Sequence, residues 1–282
     1  MRTYPDGVLE RVQAIELEML VVFDKVCEEQ GLTYAIDGGT CLGAVRHGGF
    51  IPWDDDVDLG MPLPDFLKLA EIASDVLPEG MSFHWSRTDE GFSPMFGKLY
   101  KDGTRFVEDD FAATGANECI FLDVFPYVEI EEGAEGIRRL RRTQTIQKLL
   151  YLQGNAEPSV LESLSPRWLF ALGFRAAHGV LGAVSSRERL ERRFWKACGD
   201  VHGTKIWANP TAAKPFPFAD GIMFPPSRIK FEGVEVNAPG SPKDFLRIVF
   251  GDYMSMPAPE NRHTHAPCVL DFGDGVNVME GR

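Results

Sequence analysis

Four of the five residues from position 54 to position 58 are aspartates, in the order DDDVD. Alternate side chains of an extended strand face the same side, so Asp56 and Asp58 would project together while Val57 enters the core. Two carboxylates on one face repel each other, and a protein rarely places them so unless a cation lies between them. The spacing therefore predicts a metal site for Mg²⁺ or Mn²⁺, with Asp56 and Asp58 as ligands.

A glycine turn precedes the carboxylates. Gly38, Gly39 and Thr40 open a run of small residues at helical spacing that extends to about Arg46. A Gly-Gly-Thr turn alone is usually structural, but next to an Asp-x-Asp strand it predicts phosphate binding through backbone N–H groups at a helix N-terminus. Arg46 and Lys98 are candidate phosphate contacts. Arg46 could instead pair with an acidic residue, and Lys98 could be a solvated strand lysine.

Three further groups of residues near these motifs have both a structural and a functional interpretation. Asp54 and Asp55 are predicted loop residues that cap the chain or add negative potential. Trp53 either packs under the acidic strand or forms part of a box for a quaternary ammonium. His263, His265 and Cys268 offer zinc ligands at close spacing, but no fourth ligand is evident, so a metal site there is disfavoured.

The elements that must position these residues follow from periodicity. Apolar residues at helical spacing predict a first helix from Val8 to Val26 that Gly31 ends, with Glu16 on its polar face. A strand at 32–36 and a helix at 65–76 are predicted next. Four short strands are then predicted, at Ser82–Trp85, Met95–Tyr100, Thr104–Val107 and Cys119–Val124. A hairpin turn is predicted at 101–103. This order predicts a mixed α/β (α+β) domain.

The second half of the chain begins with a basic segment. Residues 137–196 contain twelve Lys or Arg and four Asp or Glu, a net charge of +8, in two stretches of helical periodicity. Such helices either contact an anionic substrate or membrane surface, or form a structural subdomain with a solvated arginine face. Further on, a hairpin is predicted around Glu232-Gly233, a helix from Ser241 to Gly251, and a loop-like tail from Ser255.

Composition limits the classes of function. The chain has 282 residues, 44% of them hydrophobic and 25% charged, as globular proteins do. The net charge of −13 argues against general nucleic-acid binding. Five cysteines without a CxxC pair are typical of a reducing compartment. No run of about 18 apolar residues and no signal-peptide core is found, so a cytoplasmic protein is expected.

Several of these motifs together resemble the LicD family, which includes bacterial phosphocholine transferases and fukutin-related proteins. The resemblance is carried by GGTCLGAVRHGGFIPWDDDVDLGM from Gly38, FLDVFPY from Phe121, FEGVEV from Phe231 and FGDYM from Phe250. It extends from the first helix to about Pro259 and is weakest in the basic segment. It implies a polymerase-β-like nucleotidyltransferase fold, a mixed sheet flanked by helices with an inserted helical subdomain.

The resemblance also implies roles for single residues. Asp56 and Asp58 match the family's metal-binding pair, and the glycine turn matches its phosphate-binding turn. Asp123, in the Leu-Asp-Val-Phe-Pro run, matches the third carboxylate, which either shares the metal or takes the acceptor's proton. The alternative for Asp123 is an ordinary strand end. The boundaries expected are a catalytic core at 1–135, a basic helical subdomain at 136–205 and a C-terminal α/β segment at 206–282 that completes the core.

The implied reaction is Mg²⁺-dependent transfer of phosphocholine, or a similar phospho-alcohol, from CDP-choline or a related CDP-alcohol. The acceptor is a hydroxyl of an anionic cell-surface glycan (teichoic acid, lipopolysaccharide or capsule) or its lipid-linked precursor, and CMP leaves. The protein would then work in the cytoplasm, with peripheral contact to the inner membrane face and no nucleic-acid partner. Alternatives are ribitol- or glycerol-phosphate transfer, nucleotidyl transfer, or a non-catalytic domain that binds nucleotide or glycan.

Overall fold

The computed structural model describes residues 2–88, 94–108, 118–154, 186–199, 201–262 and 264–280. Its helices are α1 Val8–Gln30, α2 Gly38–His47, α3 Leu63–Val76, α4 Ala134–Gly154, α5 Arg187–Cys198 and α6 Pro242–Phe250. Its strands are β1 Ala35–Ile36, β2 Asp58–Pro62, β3 Met81–His84, β4 Gly97–Lys101, β5 Arg105–Val107, β6 Ile120–Glu129, β7 Trp207–Ala208, β8 Ser227–Phe231, β9 Val234–Ala238 and β10 Val269–Asp271.

One mixed sheet organises the molecule, in the strand order β1-β2-β6-β4-β3. The pair β2–β6 is parallel and the other neighbours are antiparallel, and β7 pairs with the far end of β6. Helices α1 and α3 pack against β6, which is why the central strand is almost wholly buried. The mixed α/β fold with a mixed sheet flanked by helices is therefore confirmed.

Local signals placed several elements correctly. Helix α1 ends at Gly31, which adopts the left-handed conformation at φ 61°. The β8–β9 hairpin turns at Glu232 and Gly233, both with positive φ, as a two-residue type I′ turn requires. Helix α6 has Pro242 at its first position and Gly251 after its last.

Three sequence-based predictions are wrong outside the aspartate motif. The turn at 101–103 forms, but it does not close a hairpin, because β4 pairs with β3 and β6 while β5 pairs with β10. The tail is consequently not all loop, since it contains β10. Glu16 does not lie on a solvated face of α1, since it is only 2% exposed. Burial and the charges of the aspartates at 54–56 raise its pKa.

The basic segment is described in part. Helices α4 and α5 pack against each other through a small core that includes Leu140, Ile146, Leu190 and Phe194. The second stretch of predicted helical periodicity, at 166–184, lies outside the described residues. Among the helices that the structure describes, none is both long enough and apolar enough to cross a membrane.

Candidate active site

Two of the predicted carboxylates lie side by side on the central strands. Asp58 begins β2 and is paired in register with Asp123 of the parallel strand β6. The N–H of Asp123 donates to the carbonyl of Val57 at 2.9 Å, which fixes this register. Paired positions on neighbouring strands present their side chains to the same face of a sheet. The sheet thus brings together two carboxylates that are far apart in sequence.

The third predicted carboxylate, Asp56, lies just before β2 rather than within it, which corrects the prediction of a strand from Asp56 to Leu59. It nevertheless belongs to the same cluster, because its charge helps to raise the pKa of Asp58. Its side chain is 21% exposed and that of Asp123 is 15% exposed, so both can be reached from solvent. The structure therefore brings Asp56, Asp58 and Asp123 together, and their roles in metal binding and catalysis stay predictions.

The glycine turn is the first turn of helix α2. Gly38 has φ +45°, and a Cβ on it would lie 2.7 Å from Oδ2 of Asp58. A Cβ on Gly39 would lie 2.8 Å from Oδ2 of Asp54. The two glycines therefore leave the space in which the carboxylates approach the N-terminus of the helix, whose partial positive charge favours anions.

Helix α2 is capped by a residue that sequence reasoning missed. The side chain of Asp37 accepts a hydrogen bond from the N–H of Gly38 at 2.7 Å and another from the hydroxyl of Tyr127 at 2.8 Å. An aspartate directly before a Gly-Gly pair at a helix start is an N-cap signal that could have identified it. Thr40 also has a structural contact, because its Oγ1 accepts from the N–H of Asp58 at 2.8 Å.

Crowding of carboxylates dominates the electrostatics of the site. Burial, with the repulsion of Asp56, Asp123 and their neighbours, raises the pKa of Asp58 well above its usual value. Burial and neighbouring carboxylates also raise the pKa of Asp56 to about 6 and that of Asp54 to about 8. These shifts mean that burial, together with repulsion among the carboxylates, disfavours their charged forms.

Lys98 is buried within the sheet, so the alternative of a solvated strand lysine is wrong, and its predicted phosphate contact stays a prediction. Its Nζ lies 3.3 Å from Oδ1 of Asp123 and 3.1 Å from the centre of the Phe121 ring. Burial raises the pKa of Asp123, and the Lys98 charge acts in the opposite direction. In this structure Lys98 neutralises a carboxylate of the cluster, so a direct phosphate contact would require it to leave Asp123.

Arg46 is tied to a distant part of the chain. Its guanidinium donates to the carbonyl oxygens of Tyr253 and Ser255, at 3.1 and 3.4 Å. The charge of Asp54 acts on it, so it lies near the acidic segment. Arg46, which was predicted to contact phosphate, thus holds the segment that follows helix α6.

The segment after α6 reaches the acidic cluster at two more points that sequence reasoning missed. The guanidinium of Arg262 lies 4.5 Å from the centre of the Trp53 ring, so the aromatic face considered for a quaternary ammonium holds the protein's own cation. The N–H of His265 and the hydroxyl of Thr264 donate to Asp55 at 2.9 and 3.0 Å. The sequence signal here was the close spacing of His263, His265 and Cys268, which suggested zinc ligands and not a contact with Asp55.

The suggested zinc ligands have other partners. The thiol of Cys268 donates to the carbonyl of Val107 at 3.1 Å, and His265 contacts aspartates. His263 lies outside the described residues. Within the ranges that the structure describes, no three His, Cys, Asp or Glu side chains form a ready metal cluster.

The donor set nevertheless fits a hard divalent cation. Oδ1 of Asp123 is buried and makes no hydrogen bond within the described residues, although Lys98 lies near it. Carboxylate oxygens are the ligands that Mg²⁺ prefers, and a cation would offset the repulsion that raises the pKa values of Asp56 and Asp58. The chemistry of these residues therefore suits Mg²⁺ or Mn²⁺, although the described side chains would have to move to form a cluster.

Comparison with known proteins points to one family. Residues 31–133 match the family model described as LicD/FKTN/FKRP, nucleotidyltransferase domain. This range includes helix α2, the aspartate segment and all of β6 with Asp123, so the match coincides with the acidic cluster described above.

Individual relatives agree with the family match. The lipopolysaccharide cholinephosphotransferase LicD of Haemophilus influenzae is 24% identical over 274 residues, which cover 91% of this chain and 95% of that protein. The human ribitol 5-phosphate transferase FKRP is 46% identical over 71 residues, 23% of this chain but only 14% of FKRP. The mouse ribitol-5-phosphate transferase FKTN is 38% identical over 61 residues, 22% of this chain and 13% of FKTN. The chain therefore contains a LicD-family nucleotidyltransferase domain at residues 31–133 and has a LicD homologue along most of its length.

Proposed function

We propose that this chain is a metal-dependent phosphotransferase that moves phosphocholine, or a similar phospho-alcohol, from a CDP-linked donor to a glycan hydroxyl. The observation that carries this proposal is the in-register pairing of Asp58 with Asp123. Asp58 lies at the N-terminus of α2, and the charge of Asp56 acts on it. Phosphoryl transfer requires charge neutralisation and in-line positioning more than covalent chemistry by the protein. A cluster of carboxylates facing a helix N-terminus suits that requirement.

Asp56, Asp58 and Asp123 would hold Mg²⁺ or Mn²⁺, which when bound supplies charge neutralisation for the transferring phosphoryl group. The N–H groups of Gly39 and Thr40 bind the donor diphosphate, because they are directed outward from the positive end of α2. Asp123 either shares the cation or accepts the proton of the acceptor hydroxyl. Its 15% exposure would admit an acceptor oxygen to that carboxylate.

The acceptor is an anionic cell-surface glycan, such as lipopolysaccharide, teichoic acid or capsule, or its lipid-linked precursor. Support comes from the relative whose name includes lipopolysaccharide, and from a basic cleft in this chain. The cleft measures about 380 Å³ and lies between α4 and α5, where it is lined by Arg138, Arg139, Arg142, Arg193 and Lys196, with one carboxylate, Glu135. An anionic acceptor, or the anionic membrane face that carries it, would be attracted to this surface.

Ribitol-phosphate transfer is the second candidate, because the 71 residues shared with human FKRP are 46% identical. Nucleotidyl transfer and binding without turnover remain formal alternatives. Incubation with Mg²⁺, an acceptor preparation and either CDP-choline or CDP-ribitol separates these functions. The proposal predicts acceptor-dependent release of CMP from one of the two donors. Pyrophosphate release from a nucleoside triphosphate would favour nucleotidyl transfer, and binding of the donor without any product would favour a binding domain.

Asp56→Asn tests the site within that assay. We expect CMP release to fall about a hundredfold or more, because even residues that only support metal ligands contribute about ten- to a hundredfold. The fold should persist, since the change removes a repelled charge at constant volume. Asp220→Asn is the matched control, because Asp220 is an exposed carboxylate outside the cluster, paired with Lys205. Equal activity of the two variants would refute the assignment of Asp56.

A further inference from the structure

Two aromatic rings lie on the face of the sheet that presents the carboxylates. Phe125 is two positions after Asp123 on β6, and residues at that spacing face the same side of a strand, about 7 Å apart. The antiparallel register that pairs Lys98 of β4 with Asp123 places Phe96, just before β4, next to Phe125. The centres of the two rings are 4.7 Å apart, and both side chains are partly exposed. We call Phe96 and Phe125 the aromatic pair.

The same face of β6 already holds an ammonium group against an aromatic ring. Phe121 is two positions before Asp123, and Nζ of Lys98 lies 3.1 Å from the centre of its ring. Asp123 is therefore flanked on one face by two aromatic positions, Phe121 and Phe125. The protein's own lysine occupies the first position, and the aromatic pair forms the second.

The aromatic pair suits a compact cation better than a planar base or a polyol. Its rings are inclined at 49° and form a wedge, whereas a nucleobase stacks on rings that are nearly parallel to it. A quaternary ammonium has no N–H to donate and is bound by ring faces through cation–π attraction. The carboxylates of Asp58 and Asp123 add attraction for a positive charge. A polyol would require hydrogen-bond partners, which phenyl rings do not supply.

We propose that the aromatic pair is the subsite for a quaternary ammonium alcohol, so that Phe96 and Phe125 select phosphocholine over ribitol phosphate. This inference rests on the proposed function for the phosphate end of the ligand. The strand spacing of about 7 Å between Asp123 and Phe125 is one that the two-carbon linker of phosphocholine can bridge. The two rings determine which alcohol is bound and take no part in the transfer of the phosphoryl group.

Binding without turnover tests this subsite. CDP-choline and CDP-ribitol are titrated separately into the whole protein by calorimetry, with Mg²⁺ and without acceptor. The two donors share cytidine and diphosphate and differ only in the alcohol, and the wild type should bind CDP-choline more tightly. Phe125→Leu keeps an apolar side chain but removes the ring face. It should weaken CDP-choline binding about tenfold and leave CDP-ribitol binding unchanged.

Three further variants separate the ring face from general packing. Phe125→Trp should retain or strengthen CDP-choline binding, because indole is the best cation–π partner. Phe96→Leu should act in the same direction as Phe125→Leu, and it keeps the test open if Phe125→Leu does not fold. Phe216→Leu is the matched control and should bind both donors normally. Phe216 is also partly exposed, but it lies beyond β7, which pairs with the far end of β6.

NMR on the wild type gives a second measurement that a merely structural role would not change. The N-methyl protons of phosphocholine, added with Mg²⁺, should show nuclear Overhauser effects to phenylalanine ring protons. These effects should be lost in Phe96→Leu and Phe125→Leu and retained in Phe216→Leu.

The outcomes distinguish this inference from the proposed function. Equal losses for CDP-choline and CDP-ribitol in Phe125→Leu would mean that the rings contact the shared cytidine, and the inference is overturned. It is also overturned if CDP-choline does not bind, if CDP-ribitol binds more tightly to the wild type, or if neither leucine variant changes binding. If CDP-choline binding depends on the rings while no donor releases CMP, the inference stands and the proposed function fails.

Discussion

At the scale of single residues, Gly38 and Asp58 depend on each other. The carboxylate of Asp58 approaches the start of α2 only because residue 38 has no side chain. Gly38 also has a positive φ, which costs a residue with a Cβ about 1–2 kcal/mol. Backbone strain and the position of a candidate metal ligand are therefore coupled at one residue.

Gly38→Ala should reduce both stability and CMP release, because the new Cβ would meet Oδ2 of Asp58. Gly7→Ala separates the two causes: Gly7 has φ +77°, but a Cβ there would have no atom within 4 Å. Urea unfolding and CMP release are measured on both variants. We expect Gly38→Ala to lose CMP release and Gly7→Ala to retain it. Comparable activity in the two variants would mean that the carboxylate's approach to the helix is dispensable.

The same scale shows what sequence could and could not reveal. Asp56, Asp58 and Gly38 could be selected because they stand within 21 residues of one another in one motif. Asp37 was missed although its N-cap signal is local. Asp55 and His265 could not be connected, because they are joined by a fold contact between residues 210 positions apart, and no periodic pattern encodes such a contact.

At the scale of elements, the parallel pairing of β2 with β6 creates the cluster. Helices α1, α3 and α6 and the β8–β9 hairpin were predictable, because each is specified by local periodicity, caps or a turn. The pairing of β5 with β10 was not, since a turn at 101–103 specifies a change of direction but not a partner strand. The grouping of Asp123 with Asp56 and Asp58 was expected from the family resemblance, but the register that pairs Asp58 with Asp123 was not predicted.

Crowding of carboxylates by β2 and β6 predicts a dependence of stability on pH. The pKa values of Asp56 and Asp54 rise to about 6 and about 8 in the fold, against about 4 in an unfolded chain. The folded state therefore retains protons that the unfolded state releases, and its stability falls as pH rises from about 4 to about 8. The raised pKa of His265, about 9, acts in the same direction above its usual value.

Without added cation we expect a lower Tm at pH 8 than at pH 5.5, and we expect Mg²⁺ to raise Tm more at pH 8, where the carboxylates are ionised. Scanning calorimetry with and without Mg²⁺ measures both effects. Asp56→Asn should diminish the Mg²⁺ effect. A Mg²⁺ effect that is equal or larger at pH 5.5 would contradict a cation site made of these aspartates.

At the scale of the whole molecule, charge is unevenly distributed. The chain has a net charge of −13, yet residues 137–196 have +8, and the described part of that segment forms the basic cleft between α4 and α5. The candidate active site, by contrast, groups Asp54, Asp56 and Asp123 around Asp58. An anionic glycan or membrane face would therefore approach from the α4–α5 side.

Charge reversal in the cleft tests this orientation. Arg142→Glu combined with Arg193→Glu should abolish sedimentation with anionic vesicles at low salt. The attraction between basic side chains and anionic lipid acts only over about a Debye length, so the charges of the cleft itself decide it. Lys230→Glu, an exposed lysine on β8, makes the same type of charge change elsewhere and should sediment normally. If the variant with the reversed cleft charges still binds vesicles, or if binding does not depend on salt, the basic helices have a structural role and do not bind the membrane through their charge.

The central claim is that Asp56, Asp58 and Asp123 hold a divalent cation against a CDP-linked donor. Crystals soaked with Mn²⁺ and CDP-choline test it directly, because Mn²⁺ is located by its anomalous signal. The account predicts an anomalous peak coordinated by these three carboxylates and by the donor's phosphate oxygens, with the diphosphate at the N-terminus of α2. A peak elsewhere, or a donor bound away from these aspartates, would contradict it.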